Sequence, residues 1–316
     1  MKPKILITPQ AFNKLDNTID SILGADYNII KTGGQLSNKD EIISRLRDCD
    51  GCIIGAEKID NDIFEKCKSL KILSRFGSGY NSINLTAAEK YNVVVAYVPN
   101  NNARAVARHA LSLLLSITNN IIDQNNMLKN GKWEKSFNIS PELSKIGIVG
   151  LGMIGNEFAY LCNLLGFEVH YFSRSNKKNE NYIYHDSISS LIKSVDIVSI
   201  HLVCNEQTKN IFDNSKIKLL NGKILINTSR GELIDEEALF ANLSSGKIIA
   251  AGIDVFTNEP YFGISKKLAM LDNVISTSHI SCYDYYSIDK VGKSSLKNLK
   301  YFFEGEIHKI KNLVKK

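Results

Sequence analysis

Three glycines at fixed spacing carry the first chemistry this sequence offers. Lys145-Ile146-Gly147-Ile148-Val149 runs straight into Gly150-Leu151-Gly152-Met153-Ile154-Gly155, and a helical pattern follows through Leu165. This is G-x-G-x-x-G in the context that gives it meaning: a strand, a tight turn and a helix. Gly150 permits the turn, Gly152 lets a pyrophosphate approach the backbone, and Gly155 allows close helix–strand packing. The phosphates would sit against the first helical turn at Met153 and Ile154, where free N–H groups and the helix dipole favour anions. Gly150, Gly152, Met153, Ile154 and Gly155 are therefore expected to bind a dinucleotide. The bland alternative is a turn of purely structural use.

The next strand, Glu168-Val169-His170-Tyr171-Phe172, should end beside the adenosine ribose. An NAD site usually places Asp or Glu there to hold the ribose hydroxyls. Here the residues are Ser173-Arg174-Ser175, followed by Lys177 and Lys178. No carboxylate would repel a 2′-phosphate, while hydroxyl donors and a guanidinium could bind it. NADP(H) is the favoured cofactor, with NAD(H) possible. The competing reading is an exposed basic loop indifferent to the phosphate.

Of the six cysteines, Cys49 and Cys52 have a C-x-x-C spacing that could mean redox or metal chemistry. No second pair or histidine cluster accompanies them, so no metal is expected and buried free thiols in a reducing compartment are the reading.

Positioning such loops requires strands that end on time. Short apolar runs at 4–8, 27–30, 52–54, 71–74 and 93–97 alternate with amphipathic segments of helical length. A second series follows at 145–149, 168–172, 196–201, 223–227, 248–253 and 274–277. Many are apolar on consecutive residues, as parallel strands buried on both faces must be. Strand–helix alternation of this kind implies α/β architecture with two doubly wound parallel sheets. Residues 103–127 read as one long helix between the two series, with Val106, Leu111, Leu114, Leu115, Ile117 and Ile121 at helical spacing. A last helix over 287–305 could pack back on the first domain. The expected domains are 1–98 plus 287–316, and 99–286.

The bulk properties agree with a globular protein. At 316 residues the chain exceeds what one core usually serves. With 44% hydrophobic and 23% charged residues it is not disordered. No apolar run reaches the length of a membrane helix. The amino terminus reads as a first strand rather than a signal peptide, so a cytoplasmic protein without membrane contact is expected. The formal charge of +6 is spread over scattered lysines, densest at Lys177-Lys178, Lys266-Lys267 and the tail Lys309, Lys311, Lys315 and Lys316. No basic stripe with interleaved aromatics marks a nucleic-acid surface.

Three carboxy-terminal motifs settle the class: Asn227-Thr228-Ser229-Arg230-Gly231-Glu232-Leu233-Ile234-Asp235, Gly252-Ile253-Asp254-Val255-Phe256-Thr257-Asn258-Glu259-Pro260, and Ser276-Thr277-Ser278-His279-Ile280. Each lies just after a predicted strand, at the carboxyl edge where open α/β sheets bind ligands. In this order, and with Arg75-Phe76-Gly77-Ser78-Gly79 and the stretch 99–109, they resemble the D-specific 2-hydroxyacid dehydrogenase family over nearly the whole chain. That family includes glyoxylate/hydroxypyruvate reductases and 3-phosphoglycerate dehydrogenases. The resemblance implies a flavodoxin-like substrate domain and a Rossmann dinucleotide-binding domain, and hydride transfer between NAD(P)H and a small 2-oxo acid.

It also implies roles. His279 is the acid/base, Glu259 its carboxylate partner and Arg230 the substrate anchor. Ser78 and Gly79 look like a backbone cradle for the substrate carboxylate, and Asn102 like a junction residue facing the cleft. Thr228 and Asp254 fall on the cofactor side, Asp254 as acceptor for the nicotinamide amide. The residue types suit the reaction. Hydride arrival places negative charge on the carbonyl oxygen, so a proton donor must stand there. Histidine titrates near neutral pH, and a carboxylate partner favours an imidazolium. Arginine offers a planar fork for a carboxylate. His201, ending a strand near the expected cleft, reads as structural or cofactor-adjacent.

The sequence departs from the family at several positions. Ser278 replaces the usual Pro before the histidine, Ser281-Cys282 replace a Gly pair, Val203 stands where Pro is common, and Arg108 where Glu is usual. These put the substrate pocket in question. The alternative enzyme is 3-phosphoglycerate dehydrogenase, whose relatives commonly carry a basic residue after the third strand. Here that strand ends Ile53-Ile54-Gly55-Ala56-Glu57, and no further regulatory domain follows before Lys316. A cofactor-sensing, corepressor-like binding protein is the alternative from another class. A homodimer is expected, because residues 122–133 resemble the family's pairing arm and the single Trp133 would anchor an interface.

Overall fold

The computed structural model describes residues 2–36, 38–99 and 102–314. Lys315 and Lys316 of the basic tail, and Asn100 and Asn101 of the 99–109 stretch, lie outside the described residues. The chain forms two compact units, one of residues 1–102 with 283–316 and one of residues 103–282. The chain passes from one unit to the other at 102/103 and again at 282/283.

The first unit is a five-stranded parallel sheet of β1 (Lys4–Ile7), β2 (Asn28–Lys31), β3 (Gly51–Ile54), β4 (Ile72–Arg75) and β5 (Val94–Ala96). Its order, β2-β1-β3-β4-β5, is the flavodoxin-like one. Strand β3, Gly-Cys-Ile-Ile, is buried at every residue because helices cover both faces. The carboxy-terminal helix Tyr285–Phe303 belongs to this unit. Leu296 and Leu299 on it pack with Ile5, Phe12 and Ile72. Gly292 admits Leu15, whose Cδ1 would lie 2.6 Å from any β-carbon there. Two buried polar contacts fix the helix: Ser74 Oγ donates to the Ser295 carbonyl at 3.1 Å and accepts from Asn298 Nδ2 at 3.2 Å.

The second unit is a seven-stranded parallel sheet of β6 (Lys145–Val149), β7 (Glu168–Phe172), β8 (Ile183–His185), β9 (Ile197–Ile200), β10 (Ile224–Asn227), β11 (Ala250–Ile253) and β12 (Val274–Ser276). Its order is β12-β11-β10-β9-β6-β7-β8, a Rossmann sheet with one strand added. The order reverses between β6 and β9, so the glycine loop after β6 stands at the switch point, where such sheets bind ligands.

Two elements differ from the sequence reading. The single helix expected over 103–127 is two, Ala103–Thr118 and Ile121–Lys129. Asn120 breaks it at φ +51°, a left-handed conformation that asparagine tolerates. Its side chain donates to the Phe137 carbonyl at 3.0 Å, and Asn119 donates to the Leu115 carbonyl at 3.0 Å. Strand β8 was not foreseen. It is three residues long, lies at the sheet edge, and has no fully buried residue.

No disulfide joins the six cysteines. Cys49, Cys52 and Cys67 share the apolar cluster of the first unit, where burial pushes the Cys67 thiol up to about 11. Such thiols are poor nucleophiles and poor metal ligands.

Candidate active site

Each glycine of the loop is required for a different reason. Gly150 has φ +101°, and a β-carbon there would lie 2.5 Å from the His201 carbonyl oxygen. Gly155 sits on the helix Met153–Leu164, and a β-carbon there would overlap the Gly150 carbonyl oxygen. Gly152 is the exception: nothing lies within 4 Å of where its β-carbon would be. Folding therefore needs the first and third glycines, while the second leaves open a space in front of the helix amino end. That is the arrangement a pyrophosphate needs. A second fit is the buried Thr228, whose hydroxyl has no partner among the described residues. The residues present thus suit a bound dinucleotide.

His201 backs this loop. Its Nε2 is 2.8 Å from Ser199 Oγ and its ring packs on Phe158. Burial pushes its pKa down to about 3, so the ring is neutral under ordinary conditions. It is a packing residue behind the turn, as its sequence position suggested.

The 173–178 loop is built by its neighbours. The buried Tyr171 hydroxyl donates to Asn176 Oδ1 at 2.7 Å and accepts from the Lys177 N–H at 3.0 Å. Ser173 corrects one expectation: it is buried and its hydroxyl donates to the Ser175 carbonyl at 2.6 Å. Its single proton is committed to the turn, leaving exposed Arg174 and Ser175 as the available donors.

Arg230, Glu259 and His279 leave the carboxyl ends of three adjacent strands. Asn227 on β10 pairs with Ile253 on β11, which pairs with Ser276 on β12. Parallel pairing in this register makes the three following loops neighbours. The loops after β10 and β11 also press together, since a β-carbon at Gly231 would overlap the Phe256–Thr257 peptide. Asn227 shapes the first loop: its Nδ2 donates to the Arg230 carbonyl at 2.9 Å and its Oδ1 accepts from the Ser229 N–H at 3.0 Å. One guanidinium nitrogen of Arg230 donates to the Ser229 carbonyl at 2.6 Å. The half-buried side chain keeps its remaining N–H groups for other acceptors.

His279 and Glu259 meet directly, with Nδ1 2.7 Å from Oε2. Glu259 is itself held, its Oε1 accepting from the Phe256 N–H at 2.9 Å. The two side chains are 30% and 31% exposed, open enough to meet a ligand and sheltered enough to hold one geometry. With Nδ1 engaged by the carboxylate, Nε2 is the nitrogen that can exchange a proton with a substrate.

Behind them lies a buried cluster that the sequence did not reveal. Asp254 is fully buried, and its Oδ1 accepts from Thr277 Oγ1 at 2.5 Å and the Ile280 N–H at 2.9 Å. Its Oδ2 accepts from the Ser281 N–H at 3.0 Å, and its carbonyl accepts from the His279 N–H at 2.9 Å. Burial pushes the Asp254 carboxyl up, but donation from His109, Thr277, Ile280 and Ser281 outweighs it and holds the pKa down to about 2. Asp254 was expected to accept from the nicotinamide amide. Both of its oxygens are engaged by the turn that carries His279, which Asp254 anchors from its buried position. That turn needs an anchor, because His279 has φ +54°.

Other residues missed at sequence level do similar work. The buried Glu236 accepts from the Thr257 N–H at 2.7 Å and from Ser265 Oγ at 2.6 Å, pinning the loop that bears Glu259. In the first unit, Arg75 donates Nε to the Gly79 carbonyl at 2.7 Å and Nη1 to the Phe76 carbonyl, so it shapes the loop carrying Ser78 and Gly79. Asn102 closes that unit's first segment, directly before the helix Ala103–Thr118. At the end of β3, the Gly55 N–H donates to Thr8 Oγ1 at 3.2 Å, and buried Glu57 accepts from the Leu36 N–H at 3.3 Å.

Comparison with known proteins bears directly on this geometry. Residues 111–281 match the family described as D-isomer specific 2-hydroxyacid dehydrogenase, NAD binding domain. The hydroxypyruvate reductase of Thermotoga maritima is 34% identical over 259 residues, 80% of this chain and 85% of that protein. The glyoxylate reductase of Thermococcus litoralis is 29% identical over 321 residues, 97% of this chain and 96% of that protein. Among solved structures, a D-lactate dehydrogenase from Aquifex aeolicus, complexed with NAD and lactic acid, superimposes with a TM-score of 0.88 at 23% identity, covering 98% of each chain. At that identity the likeness speaks for the fold.

Proposed function

Because the chain belongs to the D-isomer specific 2-hydroxyacid dehydrogenase family, we propose that it reduces small, non-phosphorylated 2-oxo acids of the glyoxylate and hydroxypyruvate kind to D-2-hydroxy acids. The observation that carries this reading is the 2.7 Å pair of His279 and Glu259 at the carboxyl edge, next to the Arg230 loop. A bound dihydronicotinamide supplies the hydride. Arg230 binds the substrate carboxylate through its planar fork, and Ser78, Gly79 and Asn102 are the substrate-binding residues of the first unit. His279 holds a proton on Nε2 and delivers it to the carbonyl oxygen as negative charge develops there. Glu259, fixed by the Phe256 N–H, keeps the ring in that tautomer and stabilises the imidazolium.

The cofactor is held by Gly150, Gly152, Met153, Ile154, Gly155 and Thr228. NADPH is preferred to NADH, because Arg174 and Ser175 face solvent where an NAD enzyme would place a carboxylate. 3-Phosphoglycerate is a poor substrate: Gly55 offers no cation, and the nearest charged side chain in sequence is the acidic Glu57. The working form is a homodimer in the cytoplasm. Six cysteines without a disulfide agree with a reducing compartment, and no helix among the described residues is long and apolar enough to cross a membrane.

Replacing His279 by Ala, followed by oxidation of NADPH with glyoxylate or hydroxypyruvate, tests the central claim. Turnover should fall by about 10²–10⁴, the usual worth of a positioned acid/base. Near-normal turnover would remove His279 from the mechanism. Absence of turnover with every 2-oxo acid, despite cofactor binding, would favour the corepressor-like alternative.

A further inference from the structure

The cluster behind His279 contains one side chain that this chemistry leaves unused. We infer that His109 is a positioning residue for the acid/base: its Nε2–H, donated to Thr277, completes the buried cluster that holds the His279 turn. The inference rests on the proposed role of His279.

Hydrogen-bond accounting assigns the donor. Thr277 has one hydroxyl proton and stands 2.5 Å from Asp254 Oδ1 and 2.9 Å from His109 Nε2. Asp254, held down to about 2, is an ionised acceptor and has no proton to give. The Thr277 proton therefore goes to Asp254, and the Thr277 oxygen must accept from His109. The same Nε2 lies 3.5 Å from Asp254 Oδ1, so its positive end faces the carboxylate as well. His109 thus carries its proton on Nε2.

The fold brings this side chain within reach by a specific device. Gly252, two residues before Asp254, has the Cβ of Leu113 2.9 Å from where its own β-carbon would be. Strand β11 is bare there, so the helix Ala103–Thr118 lies close upon it. Leu113 is one helical turn beyond His109, on the same face. His109 lies on a helix, Asp254 and Thr277 lie just past the ends of β11 and β12, and all three belong to the second unit.

What the cluster holds is a strained turn. A left-handed non-glycine residue costs of order 1–3 kcal/mol and persists only where its surroundings over-determine it. Asp254 supplies that constraint through the N–H groups of His279, Ile280 and Ser281. Thr277 and His109 fix Asp254 from the other side. Loosening them leaves Glu259 and the glycine loop untouched but lets Nε2 of His279 wander from its productive position. Displacements of this kind act on the chemical step, where about 1 Å can cost up to 10² in rate. The Michaelis constant for the cofactor should change little, since the glycine loop follows β6, which β10 and β9 separate from β11.

Steady-state kinetics on the full-length enzyme with NADPH and glyoxylate tests this. His109→Leu should lower kcat about tenfold with the cofactor KM nearly constant. His109→Gln, whose amide nitrogen can donate where Nε2 did, should restore most of the loss. Thr277→Val, which also removes the bond to Asp254, should lower kcat at least as much as His109→Leu, and the double variant should be no worse than Thr277→Val alone, because His109 acts through Thr277. A folded His109→Leu enzyme at wild-type kcat, or a His109→Gln enzyme as slow as His109→Leu, overturns the inference. If His109→Leu does not fold, Thr277→Ser against Thr277→Val reads the same hydroxyl, and equal kcat in those two overturns it. Normal turnover in His279→Ala would instead overturn the acid/base reading itself, whatever the His109 variants do.

Discussion

Single residues here are set by what they are bonded to. Asp254 is the clearest case. Its ordinary pKa of 3.8 falls to about 2 in the folded protein, so it contributes stability above pH 3.8 that is lost as pH falls through about 2. The contribution is about 2 kcal/mol. Asp254→Asn places donors where Ile280 and Ser281 also donate, so at neutral pH it should cost about 2–4 kcal/mol. Urea titrations stepped down to about pH 2 should show the wild-type advantage shrinking with acidity. A constant gap would assign it to shape rather than to charge. Arg174 supports a second prediction. A charge-assisted hydrogen bond to a 2′-phosphate is worth about 1.5–3 kcal/mol, less what solvent and salt remove. Arg174→Ala should raise the KM for NADPH about tenfold and leave that for NADH nearly unchanged. Wild-type enzyme using NADH as efficiently as NADPH would reduce the loop to plain surface.

At the scale of elements, the glycine turn separates folding from binding. Gly155→Ala drives a methyl into the Gly150 carbonyl, and should destabilise the unit by about 1–3 kcal/mol or more while abolishing cofactor binding. Gly152→Ala meets nothing within 4 Å, so its melting temperature should match wild type. Its β-carbon would still occupy the space for the pyrophosphate, and the cofactor KM should rise sharply. Thermal unfolding and cofactor titration on the two variants check this; equal Tm losses would refute the division. The split between Ala103–Thr118 and Ile121–Lys129 belongs to the same scale. An apolar repeat at helical spacing crosses the break, and only the bonds of Asn119 and Asn120 to Leu115 and Phe137 announce it.

For the whole molecule, one run of exposed apolar side chains falls between residues 121 and 143. The helix Ile121–Lys129 buries no residue, and Trp133 is 84% exposed, with Ile121, Leu128, Phe137 and Leu143 also exposed. Exposed apolar groups clustered in this way mark interaction surfaces. The proposed dimer should therefore sediment at about twice the 35.3 kDa of one chain. Trp133→Asp should shift it towards monomer, and a wild-type monomer at micromolar concentration would exclude the arm as an interface.

The sequence by itself determined the class of chemistry and the two parallel sheets, since both are written in local patterns. A glycine turn between strand and helix, a strand apolar on every residue, and a polar motif just past a strand each occupy about ten consecutive residues, and their physics is local. Strand β8 escaped because three half-exposed residues at a sheet edge have no periodicity to show. The tertiary structure alone decided which polar side chains would meet. His109 and Thr277 are 168 positions apart, and Glu236 and Ser265 are 29 apart. Their pairing depends on the helix Ala103–Thr118 lying against β11 and on neighbouring loops sharing an edge. Asp254 shows the consequence: its motif marks it as an active-site residue, but only the donors converging on it make it the anchor of the His279 turn.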